Sequence, residues 1–255
     1  MPEREIRLET PSGPMRCFIA QPEGDGPFPA GVIFMDAPGY REALRDVARR
    51  YADNGYLVAA PDMYAPFGED IEIDINQVRA DRAAGRDSEE GRRMFGFVRG
   101  LTAELGEGLA RAALDQLDAE PAADDGPRVC LGFCMGSRHV IHTLAALGDR
   151  VAAGAGIHPG KLVSDDDGSP HRELGDIHGE LYLGFAERDE ASSDEQLAAL
   201  RDEAERHDVR MTIEVYPDTD HGFAMADAAV YSEAGAERHY ERTLELWGRA
   251  AGAPA

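Results

Sequence analysis

Lysine is all but missing. Lys161 is the single lysine in 255 residues, every other basic side chain is arginine, and 26 basic residues face 49 acidic ones for a formal net charge of −23. Nucleic acid and anionic membrane surfaces are held by clustered Lys and Arg, so the deficit argues against both as partners. Cysteine is scarce as well. Cys17, Cys130 and Cys134 are an odd number with no C-x-x-C pair, which predicts reduced thiols rather than a disulfide framework. There is no run of 18 apolar residues to span a bilayer. The opening MPEREIRLETPSGPM has no apolar stretch of the secretory kind. A cytoplasmic location is the expectation. A Walker loop, a G-x-G-x-x-G opening the first helix and an H-E-x-x-H pair are also lacking. No metal and no organic cofactor is therefore expected.

What is present is a globular balance, with 43% hydrophobic and 29% charged residues. The alternation over 5–9, the turn Pro11-Ser12-Gly13-Pro14 and the extended pattern over 15–20 predict an N-terminal hairpin. Buried-strand runs follow at 30–35, 56–60, 128–133, 151–157, 180–185 and 209–216. Between them, helical spacing recurs over 40–54, 89–104, 106–119, 135–147, 193–207 and 231–250. Residues 63–88 read as an irregular acidic loop over one end of the sheet. Strands alternating with helices predict an α/β fold, a mainly parallel sheet covered on both faces with an antiparallel edge hairpin. One domain over 1–255 is the expected organisation.

The sharpest local signal is Gly132-Phe133-Cys134-Met135-Gly136. It has the form G-x-nucleophile-x-G between a strand and a helix, where flanking side chains would collide in a strained turn. Such a turn lifts the Cys134 sulfur out of the carboxyl edge of the sheet. It also sets the sulfur at a helix N-terminus, where the macrodipole favours thiolate. A free cysteine is more often a core residue, and Cys130 and Cys17, which lack the glycine frame, are assigned there.

A thiol nucleophile needs a base and a group to orient that base. His221, in a loop after the last strand, can reach the same sheet edge. The acid should follow an intervening strand; Asp189 fits, with Glu187, Glu190 and Asp194 as competitors. The order nucleophile, acid, histidine is that of α/β-hydrolases. Weaker features are His139 and His142, three apart on one helix and read as packing or surface residues. His158 stands at a strand end without an assigned role, and Asp165-Asp166-Asp167 reads as a solvated loop.

On Gly132 to Gly136, Gly184 to Asp189 and His221-Gly222-Phe223, the chain resembles the dienelactone hydrolase family of the α/β-hydrolase superfamily. The resemblance covers most of the chain. It implies an α/β-hydrolase fold and a small-molecule ester or lactone substrate. The implied triad is Cys134, Asp189 and His221, acting through a thioester, with the backbone N–H groups of Met135 and Ala37 as the oxyanion hole. It also implies an acidic residue beside the resting thiol, here Asp36 where dienelactone hydrolase has Glu. Of the family's two substrate-binding arginines, one corresponds to Arg92 or Arg93, and Met225 stands where the other belongs, predicting a preference for neutral substrates. A general carboxylesterase or thioesterase, and a non-catalytic thiol-sensing protein, are the alternatives on this scaffold.

Overall fold

The computed structural model describes residues 1–68, 71 and 73–252. Eight strands form one sheet in the order β1-β2-β4-β3-β5-β6-β7-β8. They are β1 (Glu3–Thr10), β2 (Gly13–Ala20), β3 (Ala30–Phe34), β4 (Leu57–Pro61), β5 (Arg128–Phe133), β6 (Val151–Ile157), β7 (Glu180–Arg188) and β8 (Arg210–Asp220). The first two make the expected edge hairpin, turning at Pro11-Ser12 with Thr10 paired to Gly13. From β4 to β8 every neighbouring pair is parallel, while β2 meets β4 antiparallel. Parallel steps need crossovers: α1 (Glu42–Asp53) joins β3 to β4, then α2 (Ile75–Ala83), α3 (Glu89–Gly100) and α4 (Ala103–Ala119) join β4 to β5. The connection from β5 to β6 is α5 (Gly136–Ala146), that from β6 to β7 holds a 3-10 segment over Pro170–Asp176, and that from β7 to β8 is α6 (Asp194–Arg206), with α7 (Glu233–Ala251) closing the chain.

All residues of β3, β4 and β5 are buried, as a sheet covered on both faces requires. On one face Trp247 of α7 packs against Tyr51 and Tyr56, with centroid separations of 4.6 and 5.1 Å, and its Nε1 donates to the Cys130 carbonyl. Gly31 admits that indole: a Cβ there would lie 2.9 Å from Val129 and 3.3 Å from the Trp247 ring.

The winding reverses at β3. The chain steps from β3 to β4 on one side, then crosses back to β5 on the other. Open α/β sheets bind ligands at the carboxyl ends beside such a switch point. The loops leaving β3 and β5, which carry Asp36 to Gly39 and Cys134, flank that crevice.

Two expectations need correction. Residues 63–88 are not all irregular, since α2 lies there, capped by Asp74, whose carboxylate accepts from the Gln77 N–H at 3.0 Å. Only Val78 and Asp81 of that helix are buried, so the apolar stripe that betrays a helix is nearly blank. The last strand also runs on to Asp220 through Pro217, which an edge strand tolerates. His221 therefore follows the strand directly, where the sequence pattern ends the strand at 216 and puts His221 in the loop after it. Among the described residues no helix is long and apolar enough to cross a membrane.

Candidate active site

Cys134 sits in the tight turn between β5 and α5 with φ +50°, a left-handed conformation that costs a non-glycine residue about 1–3 kcal/mol. The flanking glycines are sterically compulsory. A Cβ on Gly132 would lie 2.2 Å from the Gly136 carbonyl oxygen, and one on Gly136 2.7 Å from the carbonyl oxygens of Phe34 and Met35. The turn is pinned to β6 by the Cys134 N–H, which donates to the Ile157 carbonyl at 3.0 Å. The sulfur emerges half-buried at the start of α5.

The Cys134 Sγ is 3.0 Å from His221 Nε2, and His221 Nδ1 is 2.5 Å from Asp189 Oδ2. Asp189 is held in turn by the Ala191 N–H, which donates to its other oxygen at 3.1 Å. Burial disfavours a charged His221, but the Cys134 charge and the bonds from Asp189 and Cys134 outweigh it and raise the imidazole to about 10. None of the competing acids bonds His221: Glu187 accepts from the Asp218 N–H, Asp194 is exposed, and Glu190 is an exposed residue on the cavity lining. Met135 and Ala37, just beyond the ends of β5 and β3, both line the cavity that holds the thiol, and their backbone N–H groups are the two to account for. Neither has a hydrogen-bond partner among the described residues.

A cavity of about 750 Å³ opens over the sulfur. Ile75 and Val78 of α2 and Met94, Phe95 and Val98 of α3 give it an apolar wall. Five cations also line it (Arg79, Arg82, Arg138, Lys161 and Arg188), against the carboxylates of Asp36, Asp189 and Glu190. In a chain this acidic, that reversal of sign is local. Arg79 Nη2 donates to the His221 carbonyl at 2.6 Å, while its Nη1 is buried without a partner among the described residues. Gly222 makes room for this contact, since a Cβ there would strike the Arg79 guanidinium at 2.4 Å.

Other expected residues are placed differently. Asp36 does line the cavity, but its carboxylate is taken by Arg41, which donates to both oxygens at 2.5 and 3.1 Å. Arg92 bonds Asp87 and Arg93 bonds Glu90, and neither lines the cavity. Met225 is 1% exposed and packs in the core, so it forms no cavity wall. Arg79 was the missed residue. It lies in the segment read as loop, where nothing in the sequence aims its side chain.

His139 and His142 are buried. His139 Nε2 accepts from Arg138, and His142 Nδ1 pairs with Glu173 at 2.6 Å. His158 is fully buried at the cavity edge, its ring 5.4 Å from that of His221. Burial first, then repulsion from His221 and His239, pushes it well below the usual histidine range, so it stays neutral.

The dienelactone hydrolase family model matches residues 15–251. The chain belongs to that family. A protein of Escherichia coli K12 named "Putative carboxymethylenebutenolidase" is 27% identical over 239 residues, covering 91% of this chain and 81% of the relative. Among solved structures, the one named m3DLH superposes with TM-score 0.78 at 23% identity, covering 98% of both chains. A dienelactone hydrolase-like promiscuous phosphotriesterase from metagenomic libraries gives 0.78 at 20% identity, covering 99% of this chain and all of the other. At those identities the structural likeness speaks for the shared fold.

Proposed function

We propose that this hydrolase cleaves a carboxylic ester or lactone with Cys134 as nucleophile, His221 as acid and base, and Asp189 as the group that orients the imidazole. The observation that carries the reading is the unbroken line Asp189 Oδ2, His221 Nδ1, His221 Nε2, Cys134 Sγ at 2.5 and 3.0 Å. The raised imidazole supports His221 as the group that takes and holds the proton in this line.

The thiolate adds to the carbonyl carbon, and the new oxyanion lies between the N–H groups of Met135 and Ala37. A donor so placed is worth about 3–4 kcal/mol in the barrier. Collapse breaks the C–O bond as His221 gives its Nε2 proton to the departing oxygen, leaving a thioester on Cys134. Water then surrenders a proton to the neutral His221 and adds to the thioester. The C–S bond breaks, and thiolate and imidazolium are restored with the acid as product. In a lactone the departing oxygen stays attached to the acyl group, so ring opening gives one product.

The substrate carries an anionic group. Arg79 holds one guanidinium nitrogen buried and unpartnered at the cavity that contains the thiol, and a carboxylate satisfies it with a charge-assisted bond. This reverses the neutral preference inferred from Met225.

Intact-mass trapping during turnover of a p-nitrophenyl ester tests the mechanism. The expected result is one acyl adduct on the peptide containing Cys134, with both adduct and turnover lost in Cys134→Ala. Undiminished turnover by Cys134→Ala overturns it.

A further inference from the structure

The two unpartnered N–H groups of the proposed oxyanion hole stand on different strand ends, and one side chain touches both segments. Tyr64, just beyond β4, is fully buried. Its hydroxyl donates to the Ala37 carbonyl at 2.9 Å and lies 3.3 Å from the Met135 sulfur. Its ring is fixed independently of that hydroxyl. It packs against Phe97 and Phe67 at 5.2 and 6.3 Å, and a Cβ on Gly39 would come within 3.3 Å of it.

The Ala37 segment is a turn, closed by the Gly39 N–H donating to the Asp36 carbonyl at 2.9 Å. Arg41 grips its start through the Asp36 carboxylate and its end through the Gly39 carbonyl. Both ties are internal to the turn and its following helix. Neither sets the turn's distance from the elbow. The β3–β5 ladder sets that distance as far as Phe34 and Gly132, and beyond it the Tyr64 hydroxyl bridges the two segments, because Ala37 O and Met135 Sδ converge on it from the two sides of the switch point.

We propose that Tyr64 is a positioning residue that holds the Ala37 and Met135 N–H groups at the spacing a tetrahedral oxyanion needs. The inference rests on the Cys134 mechanism above. Burial keeps the phenol protonated across the working range, so the hydroxyl is a permanent donor. A donor displaced by a fraction of an ångström loses part of its preorganised stabilisation, while substrate binding, made by the cavity walls, is untouched.

Tyr64→Phe removes the hydroxyl and leaves the ring packing. The expected result is about a tenfold lower kcat with KM within about twofold, below the 10²–10³ loss from deleting an oxyanion donor outright. The control is iodoacetamide alkylation of Cys134, a displacement at saturated carbon that forms no oxyanion; its rate should stay at the wild-type value. A kcat within about twofold of wild type overturns the inference. So does a parallel fall in alkylation, which would place the effect on the triad or the fold. Failure of the mechanism itself is read separately, from turnover by Cys134→Ala.

Discussion

Arg41 grips Asp36 through two N–H···O bonds and reaches past it to Asp227, donating at 2.6 and 3.0 Å. One guanidinium thus ties the loop after β3 to the segment following His221. The Asp36 charge is thereby paired with a guanidinium, which offsets the like-charge pressure on the thiol that the family resemblance implied.

Two variants of this pair should behave oppositely. Asp36→Asn should change the alkylation rate of Cys134 at pH 7 by less than about twofold. Arg41→Met strands a carboxylate that is only 6% exposed, and breaking such a pair from one side costs about 3 kcal/mol. Urea denaturation of both variants checks this. A several-fold faster alkylation in Asp36→Asn would restore Asp36 as a brake on the thiol.

The charge of His221 should depend on Cys134. Burial alone pulls the imidazole down, and the sulfur's charge leads the opposing effects. In an NMR titration, wild-type His221 should keep its proton to about pH 10, and Cys134→Ala should lose it at clearly lower pH. The sign for stability follows from the raised value. The ion pair's contribution is fully present below the unfolded histidine value of about 6.5 and is lost as pH rises toward 10. Thermal melts of wild type should decline across that window relative to Cys134→Ala. Identical titrations in the two proteins would dissolve the ion pair.

The elbow glycines should tolerate nothing larger. In Gly132→Ala the new methyl meets backbone, at 2.2 Å from the Gly136 oxygen and 2.8 Å from the Ser137 nitrogen. Backbone cannot swing aside as a side chain does. Overpacking of this kind costs about 1–3 kcal/mol or more, and the upper end is expected. A denaturation midpoint equal to wild type would mean that the turn has slack the contacts do not show.

The sequence was most readable where a local rule forces the geometry. Gly132 and Gly136 announce the elbow because no other residue fits there, and β3 and β5 announce themselves because strands buried on both faces must be continuously apolar. Chain order offered Asp189 and His221 as partners, with three competing acids beside Asp189, and the fold sets these two within hydrogen-bond distance. The failures are residues whose meaning is tertiary. Met225 looks like a cavity wall by its offset from His221, yet the turn after Gly222 buries it in the core. Arg92 and Arg93 sit on a helix that lines the cavity, but helical geometry sends them to Asp87 and Glu90 on the outer side. Arg79 rides a helix with almost no apolar stripe, and only the fold reveals that it reaches His221.

That misplacement decides the last prediction, on substrate choice. Arg79 lines the cavity that holds the thiol; it has given one nitrogen to the His221 carbonyl and keeps the other buried without a partner among the described residues. A buried unmet donor of a charged group is costly, and a substrate carboxylate relieves that cost on binding. The charge-assisted bond is worth about 1.5–3 kcal/mol, roughly a ten- to hundredfold factor in kcat/KM between an anionic ester and its neutral analogue. Arg79→Met should erase most of that ratio. Because the same side chain also steadies the His221 segment, both substrates should slow, so the ratio and not either rate is the readout. Arg79→Lys retains a point charge without the fork and should keep part of the preference. The measurement is kcat/KM for a matched pair at fixed salt in all three proteins. A wild-type enzyme faster on the neutral member, or a ratio unmoved by Arg79→Met, would remove Arg79 from substrate recognition and leave it as a brace for His221 alone.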